Sequence, residues 1–248
     1  MDETRMKAMV NPLEFEEAML YVTGFPQKVT PEDAIGFLCG YGVPHDMAAL
    51  LRRYKEIHDA QTERLNIAPA DPQFMARIIQ PLAQAKGSYM IGNFLGTIAL
   101  CGMVCEMLSV LLFEMMPLHL KGQPMSKGDE ERLFGDSLEH LRQERRVKIL
   151  FALGIISEDI KSDFDCVRKL RNKYLHVYSH EPEDAAGDAR QTHAKTLSLV
   201  VRNLGYSISG GAFRFRPEFM KYLASRGLVR VAEGPATDGA APATACDL

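Results

Sequence analysis

Apolar residues recur along most of the chain at spacings of three and four, the period of an α-helix. The clearest case begins near Ser157. Side chains at these spacings share one face, so the pattern predicts a core-facing helix over residues 157–178, which we call the motif helix. Its apolar positions are Ile160, Phe164, Val167, Leu170, Tyr174 and Tyr178.

Arg171 falls on this apolar stripe, where an unpaired guanidinium is costly. Asn172 and His176 are four residues apart and share a different face. Arg171 and His176 are five apart, which separates them by about 140° around an ideal helix. One copy of the helix therefore does not bring the pair together. Two copies packed face to face could bring the arginines and histidines together. The sequence therefore predicts a homodimer in which both pairs surround one cleft.

Helical patterns elsewhere make the expected fold class all-α. The first part of the chain predicts helices over residues 12–21, 30–40 and 44–59, followed by turn-forming residues 66–73. We expect 1–70 to form a helical accessory region without identifiable chemistry.

Residues 71–205 are expected to form an up-and-down helical bundle. Residues 72–116 are expected to be helical, kinked or divided at Pro81 and near 86–88. Further helices are expected over 129–153, along the motif helix and over 191–204. The inward positions expected on 129–153 are Leu133, Leu138, Leu141, Val147, Leu150 and Phe151.

The end of the chain is expected to form a small appendage and a tail. Residues 206–231 carry a candidate hairpin around Gly210 and Gly211, then a short helix over 218–226. Residues 232–248 are small, polar and proline-containing, which predicts a disordered tail.

A net charge of −3 and a pI near 6.2 argue against a generally basic nucleic-acid-coating protein. Any RNA contact would have to be local. Basic residues do cluster around the motif, diluted by Glu144, Asp163 and Asp165. A solvated helix face and an RNA-binding surface both remain open for this cluster. Its members are Arg142, Arg145, Arg146, Lys148, Arg168, Lys169, Arg171 and Lys173.

Five cysteines without a close C-x-x-C pair predict free thiols and a cytoplasmic protein. Cys101 and Cys105 share a face of an apolar segment and are expected to be buried. The N-terminus shows no apolar signal region. The apolar stretch 94–113 is interrupted by Gly96, Gly102 and Glu106, which favours a core helix over a membrane span.

Glu106 is the polar exception on that apolar helix. It either lies on an exposed edge or pairs with Arg171 across the bundle, where each charge would compensate the other. No cofactor is expected, because the glycines near residues 92–96 lack the preceding strand of a nucleotide-binding loop.

The hexapeptide from Arg171 to His176, RNKYLH, resembles the motif of the HEPN superfamily, an arginine, a polar residue, three further residues and a histidine. The preceding LGIISEDIKSDFDCVRKLRN resembles the mannitol operon repressor family within that superfamily. The resemblance spans residues 91–204, about half of the chain. It implies a dimeric helical bundle.

The resemblance also implies a chemistry, in which RNA is cut without a metal by attack of the ribose 2′-hydroxyl on the adjacent phosphate. His176 suits the proton acceptor, and Arg171 suits the cation that stabilises the developing charge. Asn172 would orient either group, Lys173 is a candidate RNA contact, and Glu106 would support Arg171. His176 and His180 could bind a metal, but no third ligand beyond Glu181 is evident, so no metal is expected.

A second function stays open, a dimeric module that cuts nothing and regulates a protein partner, as the resemblance to the mannitol operon repressor family implies. In that case the arginine would be tied to an acid and would serve packing. Neither function involves a membrane.

Overall fold

The computed structural model describes residues 8–10, 47–63, 67–69, 71–116, 118–120, 123–175, 184–205, 207–209 and 212–228. These residues are mostly helical, as the hydrophobic pattern predicted. The helices predicted over 12–21 and 30–40, the tail 232–248 and the site residue His176 lie outside the described residues.

The described helices and strands follow one another along the chain in a simple order. The helices are α1 Met47–Asp59, α2 Pro72–Phe74 with a π-helical continuation Met75–Ile79, α3 Gln80–Met90, α4 Phe94–Met115, α5 Lys127–Phe134, α6 Gln143–Ala152, α7 Glu158–Leu175, α8 Ala185–Leu204 and α9 Pro217–Ser225. Three antiparallel hairpins pair β1 Ala8–Val10 with β2 Ile67–Pro69, β3 His119–Leu120 with β4 Gln123–Pro124, and β5 Ser207–Ser209 with β6 Ala212–Arg214.

Helix α4 is the central element and packs against α3, α6, α7 and α8. Asn93 begins it by accepting a hydrogen bond from the Gly96 N–H at 2.9 Å, which satisfies one of the free donors of the first turn. The helix is long and apolar enough to cross a membrane by composition, and 56% of its most apolar window is buried inside the protein. It supplies much of the core, as predicted.

Helices α6, α7 and α8 run alternately up and down beside α4. The ammonium of Lys161 on α7 lies 5.1 Å from the centre of the Phe151 ring on α6, so α6 and α7 are neighbours. Lys195 on α8 contacts Asp163 on α7 at 2.5 Å, and Lys173 contacts Asp188 at 2.9 Å, so α7 and α8 are antiparallel. These contacts place the motif helix between two neighbours and against the core helix.

The prediction of a single helix over residues 129–153 is wrong. It is divided into α5 and α6 by a turn that begins at Gly135, which ends α5 in a left-handed conformation at φ 80°. Glycine adopts this conformation without a steric penalty. Leu133 and Phe151 are also exposed, at 54% and 38%, because the division places them outside the core.

Two other boundaries differ from the prediction. The division expected near 86–88 is wrong, because α3 continues to Met90 and the chain turns at Gly92, with φ 84°. The boundary expected at Pro81 agrees with the structure, since the π-helical segment ends at Ile79 and α3 begins at Gln80 with Pro81 in its first turn. Proline costs little in a first turn, where its missing N–H is not needed. Helix α8 begins at Ala185 rather than at Gln191, because Asp184 accepts a hydrogen bond from the Gly187 N–H and starts the helix earlier.

The part of the accessory region that is described packs on the bundle. Ile57 of α1 is buried in a small apolar cluster with Tyr89, Ile98 and Ala189. At the other end of α4, Phe219 of α9 packs against Phe74 with ring centres 5.7 Å apart. The predicted C-terminal hairpin and the short helix after Pro217 are both confirmed.

Candidate functional site

The motif helix is confirmed as α7 over Glu158–Leu175. Ile160, Phe164 and Val167 are buried on the predicted stripe, while Leu170 and Tyr174 are half-buried. His176, Tyr178, His180 and Glu181 lie outside the described residues. The described part of the candidate site therefore consists of Arg171, Asn172, Lys173 and the groups around them.

Glu106 on the central helix binds two arginines from two different helices. The Nη2 group of Arg146 on α6 donates to Oε1 at 2.6 Å, and the Nη1 group of Arg171 on α7 donates to Oε2 at 3.3 Å. The predicted pairing of Glu106 with Arg171 is confirmed. Two positive charges share one negative charge, which leaves an excess of positive charge at this position.

Arg146 is almost completely buried, with 1% of its surface exposed, and all three of its side-chain nitrogens donate hydrogen bonds. A buried guanidinium requires such partners, because it cannot lose its charge. The expectation that Arg146 belongs to a solvated or RNA-binding surface is wrong. Gln143, Arg146, Val147 and Leu150 follow the three-and-four spacing of an inward face, a signal that could have identified it. Its acceptors are the Ser109 hydroxyl, the carbonyls of Leu138, Glu139 and Leu141, and Glu106.

Arg171 is held much more loosely than Arg146. Its side chain is 23% exposed, and its Nε has no hydrogen-bond partner among the described residues. The aliphatic part of the side chain lies on Gly102, where a Cβ atom would come within 2.4 Å of Arg171 Cδ. The glycine on the central helix thus makes room for Arg171 next to Glu106.

Lys173 and Tyr174 both contact Asp188 on α8. The Lys173 ammonium lies 2.9 Å from Asp188, and the Tyr174 hydroxyl donates to the same carboxylate at 2.5 Å. Partial burial and this hydrogen bond raise the pKa of Tyr174, while the hydrogen bond to Asp188 raises the pKa of Lys173. Lys173 is therefore engaged within the chain. Asn172, half-buried, is on an adjacent face of α7.

The other basic residues near the motif differ in how far they are neutralised. Arg168 pairs with Asp165 at 3.0 Å and with Glu144 at 3.5 Å. Arg142 and Arg145 are exposed and form no ion pair within the part of the chain that the structure describes. Lys169 is exposed and likewise forms no ion pair among the described residues. The basic cluster thus consists of the buried Arg146, the paired members and three exposed members without an ion pair, of which Arg142 and Arg145 lie at the start of α6.

The predicted burial of Cys101 and Cys105 is confirmed, and both are free thiols, as is the half-buried Cys166. Burial raises the pKa of Cys105 to about 12, so this sulfur is held as an unreactive thiol. Cys39 and Cys246 lie outside the described residues. Within the described ranges, no group of three or more His, Cys, Asp or Glu side chains is arranged to hold a metal ion.

Comparison of the chain with protein-family models, with curated proteins and with solved structures found no match. The site is therefore interpreted from its own geometry and from the motif that α7 carries.

Proposed function

We propose that the protein is a metal-independent endoribonuclease of HEPN type whose active site is shared by two subunits. Arg171, Asn172 and His176 would be its catalytic residues, with Glu106 supporting Arg171. The proposal rests on the motif in the sequence and on the environment that the fold gives to Arg171.

The proposal is supported chiefly by one observation, that Arg146 and Arg171 bind Glu106 with unequal closeness. Arg146 already neutralises the carboxylate through the shorter contact, 2.6 Å, from a fully buried position. Arg171 is not needed for that task, since its contact is 3.3 Å and its Nε is without a partner. A partly exposed arginine that holds its counter-charge through one long contact is suited to bind a phosphate, whose oxygens match the guanidinium fork.

In the proposed reaction the ribose 2′-oxygen attacks the adjacent phosphorus and the bond to the 5′-oxygen breaks. His176 accepts the proton of the 2′-hydroxyl, since imidazole titrates near neutral pH. Arg171 binds the phosphate oxygens and stabilises the charge that develops on them. The leaving 5′-oxygen takes up a proton from water, which gives a 2′,3′-cyclic phosphate and a 5′-hydroxyl.

A second copy of the chain is proposed to cover the exposed side of α4. Leu95 and Met103 are 48% and 42% exposed although the helix is apolar all round. On an ideal helix both lie within about 100° of Gly102 and on the same side of it as Glu106. Because such helices are normally buried on every face, this side suits a subunit contact next to Arg171.

A non-catalytic regulatory module, resembling the mannitol operon repressor family, is the second candidate. The observation that favours it is the ion pair between Arg171 and Glu106, which ties the motif arginine to an acid of its own chain. In this function the exposed side of α4 would serve only dimer formation or contact with a protein partner.

Incubation of the purified chain with mixed single-stranded RNA in the presence of EDTA tests the proposal. We expect cleavage that leaves 2′,3′-cyclic phosphate ends, and we expect Arg171→Ala and His176→Ala to lower the rate by 10²-fold or more, on the order of a lost general base or charge-stabilising group. Mass spectrometry of the fragments identifies the ends.

Lys221→Ala is the matched control, because Lys221 is an exposed lysine on α9, away from the motif. Its rate should equal that of the wild type. Size-exclusion chromatography with light scattering checks that every variant keeps the wild-type oligomeric state. A dimer that leaves RNA intact under all conditions would contradict the nuclease and support the regulatory module.

A further inference from the structure

We infer that the groove at the start of α6 binds the phosphate backbone of single-stranded RNA beside the proposed cleavage site, through Arg142 and Arg145. This inference rests on the proposed function for the identity of its ligand. It adds a binding surface outside the motif.

The groove is open, has a volume of about 480 Å³ and lies between the turn after α5 and the first turns of α6. Arg142 and Arg145 line it at the start of α6, and Gly135 lines it after α5, with the Arg145 Nη1 3.9 Å from where a Cβ of Gly135 would lie. His140 also lines it. Two arginines thus line one concave surface.

The cationic side chains of the groove outnumber its carboxylates, since Arg142, Arg145 and Lys148 line it together with Asp136 and Glu144. Glu144 contacts Lys148 at 2.7 Å and Arg168 at 3.5 Å. Asp136 accepts a hydrogen bond from the Ser137 N–H at 2.8 Å and lies 3.6 Å from His140 Nδ1. No acidic group of the described chain pairs with Arg142 or Arg145, so the groove carries an excess of positive charge that an anion would neutralise.

The pairing of α6 with α7 places this groove at the same end of the bundle as the motif. Phe151 is level with Lys161, and Glu144 is level with Arg168. Seven residues backward on α6 therefore correspond to seven residues forward on α7. Arg146 of α6 and Arg171 of α7 also meet at Glu106, so the last turns of α7 lie beside the start of α6, where the groove lies.

The direction of the side chains agrees with this placement. Residues four apart on an α-helix differ by about 40° around the axis, so Asn172 is on nearly the same side of α7 as Arg168. Arg168 contacts Glu144, which itself lines the groove. A strand with one phosphate at Arg171 would therefore reach Arg142 and Arg145 with neighbouring phosphates.

The ligand is single-stranded RNA rather than a duplex, because in-line attack by a 2′-hydroxyl requires a backbone free to leave helical geometry. Sequence-independent binding through phosphates is salt-dependent, since each arginine contact releases a counterion. An acidic protein segment could also neutralise the two arginines, and the experiment distinguishes it.

The test measures binding of a fluorescein-labelled, 2′-O-methylated mixed-sequence RNA, which cannot be cleaved, to the full chain by fluorescence anisotropy. Arg142→Ala/Arg145→Ala should weaken binding on the order of ten- to a hundredfold. It should also reduce the slope of log affinity against log salt by about 1.4, since each phosphate contact contributes about 0.7 for a single strand. Arg52→Ala/Lys221→Ala removes two exposed charges elsewhere and should leave binding unchanged.

The outcomes separate this inference from the proposed function. A wild type that binds RNA through Arg142 and Arg145 but cuts no RNA would retain the groove and refute the nuclease. A wild type that cuts RNA, with the double variant binding as tightly as its control, would retain the nuclease and refute the groove. Absence of any RNA binding would refute both. Displacement of the RNA by an equal charge concentration of polyglutamate would overturn RNA as the ligand.

Discussion

Two buried basic side chains on helices that pack against α4 are accommodated in opposite ways. Arg146, between α4 and α6, donates hydrogen bonds from all three nitrogens and contacts Glu106 at 2.6 Å. His193 on α8 is also completely buried, yet no acidic group or side-chain acceptor of the described residues pairs with its ring. The fold stabilises the charge of Arg146 and removes the charge of His193.

The difference follows from the chemistry of the two side chains. A guanidinium stays protonated in a protein, so the fold has to supply acceptors and a counter-charge. An imidazole can lose its proton, and burial together with the nearby Lys86 ammonium lowers the pKa of His193 to about 3; the Leu82 carbonyl acts weakly in the opposite direction. Of these two side chains, only Arg146 therefore keeps its charge, and it binds the same carboxylate as Arg171.

The largest expected effect is that of Arg146→Met. The substitution would leave Glu106 without its closer partner and several buried carbonyls without a donor, and should lower the free energy of unfolding by about 3–5 kcal/mol. Urea denaturation measures it. Arg171→Met is the matched variant on the same carboxylate and should cost less than about 1 kcal/mol, because its ion pair is long and partly exposed. Equal losses for the two variants would contradict the unequal roles assigned to these arginines.

His193 should make the protein less stable in mild acid. Its pKa is about 3 in the folded chain and about 6.5 in the unfolded chain, so below pH 6.5 only the unfolded chain binds the proton. Stability is therefore full above pH 6.5 and falls toward low pH, with a slope of about 1.4 kcal/mol per pH unit, or about 2 kcal/mol by pH 5.

Urea denaturation at a series of pH values measures this slope, and His193→Leu should reduce it while the exposed His140→Gln should not. The free energy of unfolding could instead fall equally in the wild type and in His193→Leu between pH 6.5 and 5. That result would show that His193 titrates normally and would remove the contrast with Arg146.

Gly102→Ala should have the smallest effect on stability and a large one on RNA cleavage. The new Cβ would lie 2.4 Å from Arg171 Cδ and displace the arginine from Glu106. Because alanine also favours the helix by about 1 kcal/mol over glycine, the net change in the free energy of unfolding should stay within about 1 kcal/mol. Cleavage in EDTA should fall as in Arg171→Ala.

Gly128→Ala on α5 is the control, because the nearest atom to its added Cβ is 3.9 Å away. Full cleavage by Gly102→Ala would mean that the position of Arg171 on the glycine has no part in the reaction.

Much of the helical framework could be predicted from local pattern. The stripe Ile160, Phe164 and Val167 identified α7, and the apolar residues around Cys101 and Cys105 identified the core helix. The division of residues 129–153 could not be predicted in this way, because Leu138, Leu141, Val147 and Leu150 kept an apolar pattern across the turn. Gly135 and its left-handed conformation interrupt the helix without interrupting that pattern.

In the candidate site, too, some features followed from local sequence and others did not. The sequence by itself determined that Arg171 lies on the inward face of a helix and that Glu106 is the acid of an apolar helix, since both follow from spacing along one segment. Only the tertiary structure decided that Arg146, 40 residues from Glu106, shares this carboxylate and is the better held of the two arginines. Burial and ion pairing depend on which helices pack together, and such contacts join positions that no local period relates.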